Sequence, residues 1–182
     1  MGRLEPIDPA WALNRRAQAE GWPFRCDSAL EFERPELNAL CGIWRSIAAG
    51  KGVPSRADFD ARTLKPFLRN IAIVERVFFD AGKSRYRSRL TGSAIVEVAG
   101  ENTGHFLDEH IPPEFLPRWT NAYDAVLDSG TPMRFVSDFR VPQLVYLDGE
   151  SLAAPLANAH GNIALVLTST YFKPKRSLGG ER

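Results

Sequence analysis

IAIVERVFFDAGKSRYRSRLTGSAIVEVAGENTGHFL, residues 71–107, holds the change of texture that decides the fold. Ile71 to Phe79 is dense in Ile, Val and Phe and too short for a helix, so it reads as a strand. A turn at Asp80 to Lys83 leads into Ser84 to Thr91, where Arg85, Arg87 and Arg89 alternate with Tyr86, Ser88 and Leu90. That alternation makes a hairpin partner with one wet face. From Gly92 to Leu107 small residues and glycines take over, which suits short helical turns and tight loops.

Downstream, Pro112 and Pro113 precede a longer helix, Glu114 to Ser129, with Phe115, Trp119, Ala122, Tyr123, Val126 and Leu127 at helical spacing and Gly130 as its cap. Three strands follow: Met133 to Val141, Ser151 to Ala159, and Ile163 to Phe172. The last is apolar or Thr on both faces, so it belongs in the centre of a sheet. In the first, Phe135, Ser137 and Phe139 share one face, and Arg134, Asp138 and Arg140 share a wet one. Upstream, Leu37, Leu40, Cys41, Trp44 and Ile47 mark one face of a helix over Pro35 to Ala49, and a short helix is expected around Ala61 to Phe67. Residues 1–30 read as an N-terminal extension with one short helix near Ala10 to Glu20, residues 31–174 as the domain, and 175–182 as a polar tail. Two early strands, three late ones and intervening helices predict an α+β domain: a five-stranded antiparallel sheet with short helices across one face and an N-terminal flanking helix.

Composition narrows the partners. The chain has 182 residues, with 23 Lys+Arg against 22 Asp+Glu. A nucleic-acid binder needs a clustered basic excess to neutralise phosphates, so no nucleic-acid partner is expected. Cys26 and Cys41 match no zinc or redox spacing and read as idle buried thiols. No signal sequence and no membrane span is legible, and the protein is expected in the cytoplasm. Gly2 lacks the Ser or Thr at the sixth position that myristoylation requires, since Pro6 stands there.

Several features resemble the PAS family, in particular stand-alone bacterial PAS proteins. They are Leu40 and Trp44 on the first helix, the loop VPSRADFD at 53–60, RLTG at 89–92, the segment from Glu97 through GENTG at 100–104, and SGTP at 129–132. The resemblance spans about residues 35–173 and implies a sensory or interaction domain whose pocket lies between sheet and short helices. It names no ligand, because PAS pockets hold haem, flavin, small acids or nothing at all, so the cofactor stays unknown. The implied output passes to another protein, as only a short tail follows residue 173. Expected partners are a small molecule, a signalling protein, or a second copy in a homodimer.

Tyr86, Phe106, Trp119, Tyr123, Phe135 and Phe139 are candidates to line that pocket, with His105 and Ser137 as polar members. His105 and His110 are the better-placed axial ligands if a haem is held, and His160 falls in a hairpin turn. A flavin adduct needs a Cys in the short-helix region, which has none. Leu37, Leu40, Trp44 and Ile47 are candidates for a dimer or partner face, and equally for core. Arg85, Arg87 and Arg89 could grip an anion but read better as a solvated face paired with Asp138 or nearby acids. Asp108, Glu109, Asp148 and Glu150 read as solvated loop acids, and no catalytic constellation or metal site is expected. An isomerase-like enzyme would need a buried base opposite a Tyr, for which Asp138 with Tyr123 or Tyr171 is the available set.

Overall fold

A computed structural model describes residues 8–79, 82–140 and 146–174, so the tail at 175–182 and Val141 lie outside the described residues. In chain order the elements are α1 (Pro9–Glu20), β1 (Phe24–Asp27), α2 (Pro35–Ala48), α3 (Ala61–Leu64), β2 (Ile71–Phe78), β3 (Ser84–Thr91), α4 (Ser93–Ala99), α5 (Leu116–Ser129), β4 (Met133–Arg140), β5 (Tyr146–Ala157) and β6 (Ile163–Pro174). The six strands form one sheet in the order β1-β4-β5-β6-β2-β3, with every pairing antiparallel. The five expected strands are there with β6 central, and the extension adds a sixth, β1, beside β4.

Two differences from the sequence reading have physical causes. β5 begins at Tyr146 rather than Ser151, because Asp148, Gly149 and Glu150 look like turn residues but pair in register with Asp138, Ser137 and Val136. β1 is only four residues long, behind Gly21 and Pro23, and has no strand signature of its own. α1 holds it: the Asn14 side-chain amide donates to the Cys26 carbonyl at 2.7 Å, and its Oδ1 accepts from the Cys26 N–H at 2.9 Å. One side chain thus satisfies both backbone groups that an edge strand leaves open.

Pro155 lies within β5, where a proline should break a ladder. It is tolerated because β4 stops pairing at Met133↔Ala153, so that edge of β5 is open from Ala154 onward. The loop of residues 53–58 closes the edge with a Ser55↔Ala157 bridge and an Ala157 N–H to Pro54 C=O bond of 2.8 Å.

Helices cover both sheet faces. α2 lies on the outer face, where Leu37, Leu40, Cys41 and Trp44 are buried against Ile71, Ile73, Leu152, Leu156, Leu165 and Leu167. The Trp44 indole N–H donates to the Pro155 carbonyl at 2.9 Å, so its one polar atom is satisfied in the core. α2's apolar stripe, expected as either core or partner face, is occupied by this chain's own sheet, and Ile47 packs at its margin, partly buried. The inner face carries α1, α4 and α5, with Ala10, Leu13, Ala122, Val126 and Leu127 packed against Val74, Met133, Phe135, Ala153 and Val166.

Candidate functional site

The two faces of the sheet differ in side-chain size. Outward positions of β5 and β6 hold Leu152, Leu156, Leu165 and Leu167, whereas inward positions hold Ser151, Ala153, Thr168 and Thr170. Ala72 on β2 and Ser88 on β3 continue the small inner floor. Small side chains beneath a helical roof leave space, and a cavity of ≈ 310 Å³ results. Its roof comes from Ile95, Val98 and Ala99 of α4, Leu107, His110 and Ile111 of the following turn, and Trp119, Ala122 and Tyr123 of α5. Phe135, Ser137 and Asp138 of β4 and Pro23 and Phe24 of the extension close one end.

Of the sequence candidates, Trp119, Tyr123, Phe135 and Ser137 line this cavity. Tyr86 does not: it is buried beside the cavity, 5.3 Å ring to ring from Tyr123, and its hydroxyl donates a short hydrogen bond to Asp124. Asp124 and Asp128 also bind Arg76, at 3.2 and 2.7 Å. Burial first, and then the Asp124 carboxylate, push the Tyr86 phenol well above its usual range. Phe106 and His105 face away from the cavity because residues 104–106 run along the edge of β3, with Gly104 N–H bonded to Ser88 C=O and Ser88 N–H to His105 C=O. The Phe106 ring stacks under Arg85 at 3.8 Å, and His105 is exposed. The side chain of Phe139 falls outside the described part of the chain.

The arginine stripe divides. Arg85 pairs with Asp108 at 2.7 Å and Glu109 at 3.3 Å, Arg89 with Glu75 at 3.6 Å, and Arg87 lies over the Phe106 ring at 4.8 Å, so Asp138 is not their acid. Asp138 is exposed and borders the cavity, while Tyr171 packs on the opposite, α2 side of the sheet. Glu150, expected in a loop, is a strand residue with an 11% exposed side chain. It accepts from the backbone N–H groups of Glu33 and Arg34 at 3.0 Å each, and from Arg134 Nε at 2.7 Å. His105, Glu109 and His110, all exposed, bring one donor atom each within 4.8 Å of one another, and these are the described residues that could hold a metal.

Polar groups on the floor are engaged with one another. Thr91 donates to Asn102 Oδ1 at 2.7 Å, so Ser88 must be the donor in its 2.9 Å bond to Thr91. Ser151 and Thr170 share a 2.8 Å bond. Sequence reasoning missed Arg118, a cavity-lining cation in the first turn of α5 whose buried Nε has no hydrogen-bond partner among the described residues. No signal in the sequence marked it: the helix read there begins at Glu114, which puts an acid in the first turn, whereas the helix starts at Leu116.

A single antiparallel sheet with helices and a cavity on its inner face defines an α+β domain built around an internal pocket. A family model described as PAS domain matches residues 32–170, and the chain belongs to that family. No curated protein matches the chain. Among solved structures, an RNA-binding light-oxygen-voltage receptor is similar over 81% of this chain, at 13% identity and a TM-score of 0.37. The chain spans 37% of that receptor's length. Among the described residues, no helix is long and apolar enough to cross a membrane.

Proposed function

We propose that this PAS domain is a sensory module that binds a small molecule in the inner cavity and transmits occupancy through its helical roof, with no catalytic step. The observation that carries the reading is the ≈ 310 Å³ cavity itself, at the small end of the roughly 300–1,000 Å³ typical of ligand sites. Small floor residues, rather than a bulky core, face the roof. α4 is the transmitting element favoured here, because it has no fully buried residue while Ile95, Val98 and Ala99 contribute to the wall. A helix with few buried contacts shifts at small cost. Its neighbours on the surface would then present the change to a signalling partner or a second copy.

Native mass spectrometry of the protein purified from its own host tests this directly. A stoichiometric small-molecule adduct that disappears in Ala153→Leu, where the added side chain fills the floor, is the expected result. Wild-type protein without any adduct, even when purified rapidly and without dialysis, would turn the reading toward an interaction module with an unoccupied core.

A further inference from the structure

Among the described residues the cavity wall has one guanidinium. Arg118 lines the cavity from the first turn of α5, and its buried Nε meets no hydrogen-bond partner among the described residues. The Phe115 and Trp119 rings lie 5.1 and 5.3 Å from its guanidinium carbon and hold the group by cation–π attraction. Among the described residues no carboxylate pairs with it, and burial alone lowers its pKa. The helix beneath adds charge of the same sign: α5 is 14 residues long and starts with no side-chain cap and no acid in its first turn. A cation at that end opposes the helix dipole, so the charge of Arg118 and the positive end of α5 add to one another at this part of the wall. Asp138, the one acid among the described lining residues, is exposed to solvent, which screens it.

The rest of the wall is predominantly apolar, with Ala72, Val74, Ile95, Val98, Leu107 and Ile111 along it. Resting on the sensor reading, we infer that the cavity takes a small apolar monocarboxylic acid, its hydrocarbon tail over the Ala72–Val74 floor and its carboxylate on Arg118. The planar guanidinium fork matches a carboxylate bidentately. A phosphate monoester, at about −1.5 to −2 charges, asks for more than one cation, and the described wall supplies one.

Isothermal titration with octanoate and 3-phenylpropionate, each against its neutral amide of the same shape, tests the class. Wild-type protein is expected to bind each acid about tenfold to a hundredfold more tightly than its amide, the range of one charge-assisted contact. Arg118→Met keeps the alkyl stem and is expected to bring the acid down to the amide's affinity while leaving amide binding unchanged. Equal affinity for acid and amide in the wild type overturns the inference, and that comparison needs no variant to fold. Undiminished acid preference in Arg118→Met overturns it as well. Failure of all four probes at millimolar concentration also overturns this ligand class, whereas a native-mass adduct of another kind would leave the sensor reading standing.

Discussion

Gly92 closes RLTG against the segment before β2. A Cβ built there would meet the Leu68 carbonyl oxygen at 2.2 Å and the Arg69 carbonyl oxygen at 2.5 Å, both backbone atoms that cannot rotate aside. Its N–H donates to the Ile71 carbonyl at 2.8 Å, tying the end of β3 to the start of β2. Its φ of −71° suits any residue, so this glycine answers to space and not to backbone conformation. Gly92→Ala is therefore expected to destabilise by about 1–3 kcal/mol, as overpacking does, read as a lower urea midpoint with an unchanged denaturant slope. Cys26 carries a pH dependence. Burial, with Asp27 and Asp8 beside it, pushes its thiol up from 9.0 to about 12. Between those values the folded chain keeps a proton that the unfolded chain releases, so this contribution to stability is whole below about pH 9 and is lost as pH rises toward 12. Urea midpoints followed from pH 8 to 11 should fall, and fall less steeply in Cys26→Ala. The two cysteines were legible as buried thiols from their lack of any motif spacing. Arg118 was not, because a single arginine in a sequence gives no indication whether an acid will meet it in space.

At the scale of elements, the helical spacing of α2 showed which residues share a face but not what the face meets. The structure sets Leu37 and Leu40 at 0% exposure against the sheet's outer leucines. Leu40→Ala is expected to cost about 2–5 kcal/mol, with an unfolding midpoint that does not vary with protein concentration. A midpoint that rises with concentration would instead mark α2 as part of a subunit interface. Glu150 joins three elements, since it holds the backbone of residues 33–34, just before α2, and Arg134 of β4 onto β5. A glutamine has one acceptor oxygen and no charge, so Glu150→Gln is expected to cost about 1–3 kcal/mol, seen as a lower melting temperature. Strands with strong β-branched or alternating patterns, β2, β3 and β6, were legible almost to their ends. The start of β5 was not, because Asp-Gly-Glu has turn chemistry locally and is held extended by pairing with β4 and β6.

For the whole molecule, element order carried the fold, since hairpin, short helices, long helix and three strands leave few ways to build one sheet. The cavity was half legible: four of its lining residues, Trp119, Tyr123, Phe135 and Ser137, could be picked out, but nothing in β5 and β6 says which face of the sheet is left with space beneath its helices. What the order could not reveal is the part played by residues 9–27, which lie before the matched family region. β1 covers the otherwise open edge of β4, α1 packs beside α5, and Pro23 and Phe24 line the cavity. Removal of residues 1–28 therefore strips one structure of two roles. It exposes the β4 backbone to pairing with other chains, and it opens the cavity to water at the β4 end. The truncated protein is expected to lose monodispersity in size-exclusion chromatography with light scattering, and to release or weaken its cavity ligand in the native mass spectrum. Monodisperse truncated protein with an intact adduct would make the extension an accessory to the sheet, with the cavity closed by α4, α5 and β4 alone.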